Sequence, residues 1–196
     1  MRYAAARQPQ GRLKAMRRLS TTLLLTLVLA AGSARALTVL PATFEELVQE
    51  SASVVHGRVR TVQAAWTADR RTIQSTVTLD VIDAFKGTST EMATFVVPGG
   101  EAGGRILVVP GAPVFRAGDE VVVFLRGRAP AIPQPVGLSL GVYRVSTAMR
   151  PGGAMVVPSP VHAAASASVV TRGTSARRVR SLEAFAADVR AVSDAR

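Results

Sequence analysis

One stretch constrains the fold of this chain more than any other, the 16 residues from Thr72 to Gly87. From residue 72 to residue 81, polar side chains alternate with apolar or small ones. This period of two is typical of a β-strand with one face buried and the other in solvent. The alternation breaks where Val81 and Ile82 stand side by side, so we expect a β-bulge there. A long strand bent by a bulge allows a small sheet to curl into a barrel, and the stretch therefore predicts a mainly β fold.

Residues 1–36 have the features of a secretory signal peptide. A basic segment precedes an apolar run of 13 residues, Leu19–Ala31, and small residues flank Arg35 as signal peptidase requires. The run is shorter than the roughly 20 residues that span a bilayer, which disfavours a membrane anchor. We expect cleavage between Ala36 and Leu37, and we expect Met16 to be the true start, because a segment beginning there has ordinary proportions. The mature protein would be secreted or periplasmic, with no stable membrane insertion.

The net charge of +11 comes largely from this leader. Seven of the 24 basic residues and none of the 13 acidic residues lie in residues 1–36, so the mature chain keeps 17 basic residues and a net charge of +4. Nucleic-acid binding needs a concentrated basic face, so we expect no nucleic-acid partner. The chain also has no cysteine, which excludes disulfides, thiol catalysis and thiolate zinc sites.

The mature chain is predicted to place strands between two helices. Thr43 and Glu46 have capping-box spacing at the start of a helix in residues 41–51, and residues 182–192 have the apolar stripe of a second helix. The five consecutive apolar residues 121–125 are typical of a strand buried on both faces. The other predicted strands are residues 54–62, 92–97, 106–109, 138–145 and 154–157. The predicted organisation is an OB-like barrel of five to seven strands in residues 37–158, a loose loop at 159–180 and a C-terminal helix at 181–196.

A polar connection predicted at residues 63–71 is one candidate ligand contact. It holds the only tryptophan of the chain, Trp66, followed by Arg70 and Arg71. An aromatic ring near guanidinium groups can stack against a ligand. The alternative is that Trp66 only covers the edge of the barrel.

The glycine-rich segment 98–104 is a second candidate contact. Residues without side chains let another backbone approach closely, and the segment lacks the spacing of a phosphate-binding loop. The alternative is that the glycines only form a tight hairpin. The glycines proposed to contact a ligand are Gly99, Gly100, Gly103 and Gly104.

No catalytic constellation emerges from the sequence. The pattern at residues 137–141 matches the G-x-S-x-G elbow of serine hydrolases, but the elbow needs a following helix, and no acidic residue stands between Ser139 and His162. His56 is expected to point outward from its strand, and a zinc site would have to come from scattered carboxylates. We therefore predict a non-catalytic protein without metal or cofactor, with a serine hydrolase using Ser139 as the alternative.

Several segments together resemble a known family. These are the run from Ser51 to Val59, the long strand that ends in Phe85-Lys86-Gly87, and the run from Gly118 to Leu125. The chain is similar over about residues 44–126 to the netrin-like domain, the OB-fold barrel of the tissue inhibitors of metalloproteinases, and to exported bacterial proteins with the same motifs. The resemblance implies a binding module more than an enzyme.

One departure from that family concerns its inhibitory mechanism. In those inhibitors an N-terminal cysteine, fixed by disulfides, lays its amine and carbonyl on the protease zinc. The mature chain here would begin at Leu37 and has no cysteine. The sequence therefore predicts an exported binding module for a protein or polymer partner, with a protease-inhibitor-like or nucleic-acid-binding OB domain as a further alternative.

Overall fold

The computed structural model of the protein describes residues 43–88, 90–127, 130–147, 153–160 and 178–195. Helix α1 (Phe44–Glu50) and helix α2 (Leu182–Asp194) lie at the two ends of this part. The strands are β1 (Ser53–Trp66), β2 (Ile73–Lys86), β3 (Met92–Pro98), β4 (Gly100–Ala102), β5 (Arg105–Leu107), β6 (Glu120–Arg126), β7 (Gln134–Pro135), β8 (Val142–Ser146), β9 (Met155–Pro158) and β10 (Arg180–Ser181). The prediction of a mainly β fold with a helix at each end is confirmed.

Some sequence predictions fall outside this part of the chain. The signal peptide, its cleavage site at Ala36 and Leu37, the start at Met16, and residues 161–177 of the predicted loop all lie outside the described residues. None of the helices that are described is both long enough and apolar enough to cross a bilayer.

Strands β1 and β2 form a long antiparallel ribbon of 14 residues each. The predicted alternation in β2 is confirmed, because its polar residues from position 74 to 80 are partly exposed while those between are buried. The buried residues are Ile73, Ser75, Val77 and Leu79. The register moves from His56 opposite Asp83 to Gly57 opposite Val81 and so passes over Ile82. This is the expected β-bulge.

The strands form one large antiparallel sheet in the order β10-β9-β8-β6-β1-β2-β3, with β7 paired to β6 and a separate hairpin of β4 and β5. Strands β3 and β10 are the two ends of this path, and they do not pair with each other. One further backbone contact comes from β3, where Val96 N–H donates to Pro133 C=O at 3.0 Å. Pro133 lies directly before β7, so β3 approaches the strand that pairs with β6.

Two apolar cores lie against the sheet, one on each face. On one face, α1 and α2 pack against the strands, and the rings of Phe44, Phe124 and Phe185 meet edge to face at centroid distances of 5.3 to 6.0 Å. On the other face, alternate residues of β1, β2, β3 and β6 surround Phe115. Residues 121–125 of β6 are at most 2% exposed and contribute to both cores. The prediction of a strand buried on both faces is therefore confirmed.

Helix α1 is fixed at both ends by side chains. Thr43 and Glu46 form the predicted capping box, with each side chain accepting from the backbone N–H of the other residue. At the other end, Lys86 Nζ donates to the C=O groups of Val48 and Ser51. A cation at the C-terminal end of a helix is favourable, because the unpaired carbonyls there carry partial negative charge. The Phe-Lys-Gly segment that ends β2 thus ties the helix to the sheet.

Three boundary predictions were wrong. The strand predicted at residues 106–109 is β5, which ends at Leu107. Residues 63–66 continue β1 and pair with residues 73–76 of β2, so the connection predicted at 63–71 is confined to residues 67–72. Residues 138–141 form a 3-10 helix instead of the start of a strand, because Gly137 and Leu138 both have positive φ and cannot be extended.

The predictions for His56 and the glycine-rich segment also need correction. His56 is only 4% exposed, since its ring stacks on Phe85 and its Nε2 is hydrogen-bonded to Glu120 Oε1 at 2.9 Å. The segment predicted as a loop at 98–104 is mostly strand: it contains the end of β3, all of β4, and a two-residue turn into β5.

Candidate binding cleft

An apolar cleft of about 780 Å³ opens beside the far end of the β1–β2 ribbon. Its walls are one face of this ribbon, the β4–β5 hairpin and the segment 108–115 that leads toward β6. Ligand sites in proteins are commonly concave, mostly apolar and roughly 300–1,000 Å³ in volume. The cleft therefore has the size and the lining of a binding site.

Exposed aliphatic side chains are concentrated around this cleft. Val62 is 37% exposed, Val114 56%, Ile106 71% and Val108 80%, and all four line the same opening. Single exposed aliphatic residues are ordinary, but a contiguous group of them usually marks an interaction surface.

Glycines allow the hairpin to lie close against the ribbon. A side chain at Gly100 would bring a Cβ atom to 2.5 Å from Ser75 Oγ and 2.7 Å from Ala64 Cβ, so only glycine fits there. Gly103 and Gly104 form the two-residue turn between β4 and β5, with φ angles of 59° and 71°, as expected for a type I′ hairpin. These glycines therefore have a structural role.

The next glycine of the segment is part of the same wall. Gly99 lines the cleft at a φ of 94°, its N–H donates to Ile73 C=O, and its C=O accepts from Ser75 Oγ at 2.8 Å. A Cβ atom there would lie 2.8 Å from Leu107 O. The backbone N–H and C=O of Gly99 are therefore both hydrogen-bonded to β2.

Trp66 lies beside the turn of the β4–β5 hairpin and is not among the residues that line the cleft. It is 37% exposed, the guanidinium of Arg105 lies 6.0 Å from the centre of its ring, and a Cβ atom on Gly103 would lie 3.3 Å from its Nε1. The structure thus brings together Trp66 and the glycine-rich hairpin, which the sequence predicted as two separate ligand contacts.

Arg70 and Arg71 belong to the tight turn that follows Trp66. The hydroxyl of Thr67 and the backbone N–H of Arg71 donate to Asp69 Oδ1, and these hydrogen bonds lower the pKa of the Asp69 carboxyl below its usual value. Arg70 has a positive φ of 55°. Asp69 is thus engaged within its own turn, and the two arginines belong to the connection that follows Trp66.

The elbow-like segment at residues 137–141 lies elsewhere. Ser139 is 1% exposed and its hydroxyl donates to Gly111 C=O at 2.8 Å. The segment is a 3-10 helix that leads into β8, whereas the hydrolase elbow runs from a strand into an α-helix. Ser139 thus lacks the exposure and the setting of a nucleophile.

Charged side chains near the start of β6 form a hydrogen-bonded group. Glu120 is hydrogen-bonded to His56 and accepts from Arg58 at 3.1 Å. Burial by itself would raise the pKa of Glu120, but the hydrogen bonds and charges of His56 and Arg58 hold it below its ordinary value of 4.5. In the described part of the chain, no three histidine, aspartate or glutamate residues are placed to hold a metal ion.

No protein-family model, no curated protein and no solved structure matches this chain. The function therefore has to be inferred from the cleft itself. The sequence indicated Trp66 and the glycine segment but missed Arg105 and the four exposed aliphatic residues. The sequence predicts Ile106 and Val108 as part of a strand at residues 106–109, and this hydrophobic run carries no signal that they stay exposed.

Proposed function

We propose that this protein is an exported, non-catalytic binding module and that the cleft between the β1–β2 ribbon and the β4–β5 hairpin holds its partner. The observation that carries this proposal is the grouping of Val62, Ile106, Val108 and Val114 around one opening. An exposed apolar group of this kind costs solubility, and a partner that covers it would remove that cost. The partner is a protein or polymer outside the cytoplasm.

The sheet is proposed to be an OB-like, netrin-like barrel. The hydrogen bond from Val96 N–H to Pro133 C=O supports this, because Pro133 precedes β7 and β7 pairs with β6. The sheet would then run from β1 through β2, β3 and β7 to β6 and back to β1, a circuit of five strands. OB barrels generally bind ligands on one face and its bordering loops.

Export is supported by the basic segment, apolar run and small residues of the first 36 residues. The absence of a catalytic role is supported by the burial of Ser139 and its hydrogen bond to Gly111. A serine-reactive probe checks the hydrolase alternative: labelling of the wild-type protein that disappears in Ser139→Ala would establish it.

Site-directed photo-cross-linking tests the binding function. A photoreactive residue replaces Val108 in the cleft, and a matched control places it at Val179, which is 50% exposed and does not line the cleft. In the exported fraction we expect a discrete adduct from position 108 and none from position 179.

The adduct must also depend on the apolar character of the cleft. We expect it to disappear when Val114→Asp is added to the position-108 protein, provided that a thermal melt shows the variant is folded. Identical adducts from both positions, no adduct at all, or an adduct that survives Val114→Asp would contradict the proposal.

A further inference from the structure

The second half of β1 has an edge that no described strand covers. β6 pairs with β1 only as far as Arg58, and the turn before β6 adds two backbone hydrogen bonds to Val59. A register shift then passes over Arg60, and residues 61–66 pair with β2 alone among the described strands. Among the residues that the structure describes, one edge of β1 is therefore unpaired beside the cleft.

The ladder pattern identifies the backbone groups that face outward from this edge. In an antiparallel pair, residues that exchange hydrogen bonds with the partner alternate with residues whose N–H and C=O point away from it. Thr67 N–H donates to Thr72 C=O, so the residues bonded to β2 are 65, 63 and 61. The N–H and C=O groups of the residues between these three point away from β2 and have no backbone partner elsewhere in the described part of the chain. The outward-facing residues are Val62, Ala64 and Trp66.

The edge also lacks the usual protection against strand addition. Proteins usually guard exposed edges with charged side chains, proline or a bulge. Residues 61–66 contain no charged residue and no proline, and the bulge at Arg60 lies before them. Val62 and Ala64 line the cleft, so a strand added here would direct alternate side chains into it.

The turn end of this edge is positively charged. Arg105 lies against Trp66, and Arg70 and Arg71 belong to the connection between β1 and β2 that follows Trp66. None of these three arginines has an ion pair with another residue of the described part. A carboxylate on the partner would complement this charge.

We propose that the partner is an extended polypeptide segment that adds to residues 62–66 of β1 as an antiparallel strand. This inference rests on the proposed binding function and names its ligand class. The added strand would continue the ladder that β6 begins, since β6 is also antiparallel to β1. Its alternate residues opposite Val62 and Ala64 would be aliphatic and fill the cleft. Its amino end would carry an acidic residue opposite Trp66, beside Arg105. This is recognition by β-strand addition, in which the backbone supplies affinity and alternate side chains supply specificity.

A blocked peptide, Ser-Asp-Ser-Val-Ser-Val-Ser, provides the test with the full exported protein. Placed antiparallel, each valine N–H faces β1, whereas each serine N–H faces solvent. We expect N-methylation of both valines to weaken binding about tenfold or more, since two backbone hydrogen bonds are lost. N-methylation of the two serines that flank the first valine is the matched control, with a change within about twofold. Replacing aspartate by asparagine should weaken binding about two- to fivefold, and less at high salt.

The outcomes separate this inference from the proposed function. Equal effects of the two N-methylated peptides would overturn strand addition, because the peptide would then be held by its side chains alone. Failure of the peptide to bind would also overturn strand addition. If the adduct from position 108 still formed and still depended on Val114, the proposed binding function would remain supported. Loss of both the peptide complex and the adduct would refute both proposals.

Discussion

A proline scan of two neighbouring residues tests whether the edge of β1 is free. The N–H of Ala65 is assigned to the ladder with Gln74, whereas the N–H of Ala64 points away from β2. Proline has no N–H, and its ring occupies the position of the missing hydrogen. Ala65→Pro should therefore damage the ribbon, and Ala64→Pro should be tolerated as proline is on edge strands.

The size of the difference follows from the hydrogen-bond pattern. Ala65→Pro removes one ladder hydrogen bond, worth about 1 kcal/mol net. It also leaves the C=O of Gln74 without that donor, at a cost of about 1–3 kcal/mol. A total near 3 kcal/mol should lower the Tm by roughly 10 °C in a domain of this size. Ala64→Pro breaks no ladder bond. Proline also restricts the unfolded chain, and the stability gained in this way offsets part of the cost of any change in φ. Its effect should stay within about 1 kcal/mol.

Thermal and denaturant unfolding of the two variants provide the measurement. An Ala64→Pro variant as destabilised as Ala65→Pro would show that the outward N–H of Ala64 already has a partner. An Ala65→Pro variant of wild-type stability would show that the ladder is shifted by one residue. Either result would refute the assignment of a free edge.

Three further predictions concern the fold and its charged groups. Val77→Asp should unfold the domain, since Val77 is fully buried and an unpaired buried charge costs roughly 4 kcal/mol or more. Thr78→Asp on the half-exposed face should cost about 1 kcal/mol or less. Thermal melts of both variants decide this. Lys86→Met should destabilise the protein by about 1.5–3 kcal/mol by removing the donor to the end of α1, as measured by urea unfolding at neutral pH. Because the folded pKa of Glu120 lies below its ordinary value of 4.5, its ionised form stabilises the fold above that pH, and this contribution disappears as the pH falls through the lowered pKa. The Tm difference between wild type and Glu120→Gln should therefore shrink below about pH 4.5, and a difference that grows toward acid pH would contradict this.

The parts of the fold that were predictable are those that local pattern determines. The alternation in β2, the adjacent apolar pair at its bulge and the capping box of α1 each reflect contacts within a few residues. The burial of β6 on both faces followed from five consecutive apolar residues. In each case the pattern excludes other structures by itself.

The parts that were missed depend on distant partners. Residues 63–66, Gln-Ala-Ala-Trp, have weak strand character, and it is pairing with β2 that makes them part of β1. His56 was expected to point outward, and the contacts with Phe85 and Glu120 that bury it are long-range. The sequence predicted Trp66 as part of the site, whereas the free edge beside Trp66 exists only because β6 ends its pairing at Arg58.

Amide hydrogen exchange with and without the valine–serine peptide tests the central proposal most directly. In the free protein, the amides of Val62, Ala64 and Trp66 should exchange fast, and those of Gln63 and Ala65 should be protected by the ladder with β2. Addition of the peptide should slow exchange at Val62, Ala64 and Trp66 and leave Gln63 and Ala65 unchanged. Bound peptide with no added protection at these three amides would contradict recognition by strand addition at the edge of β1.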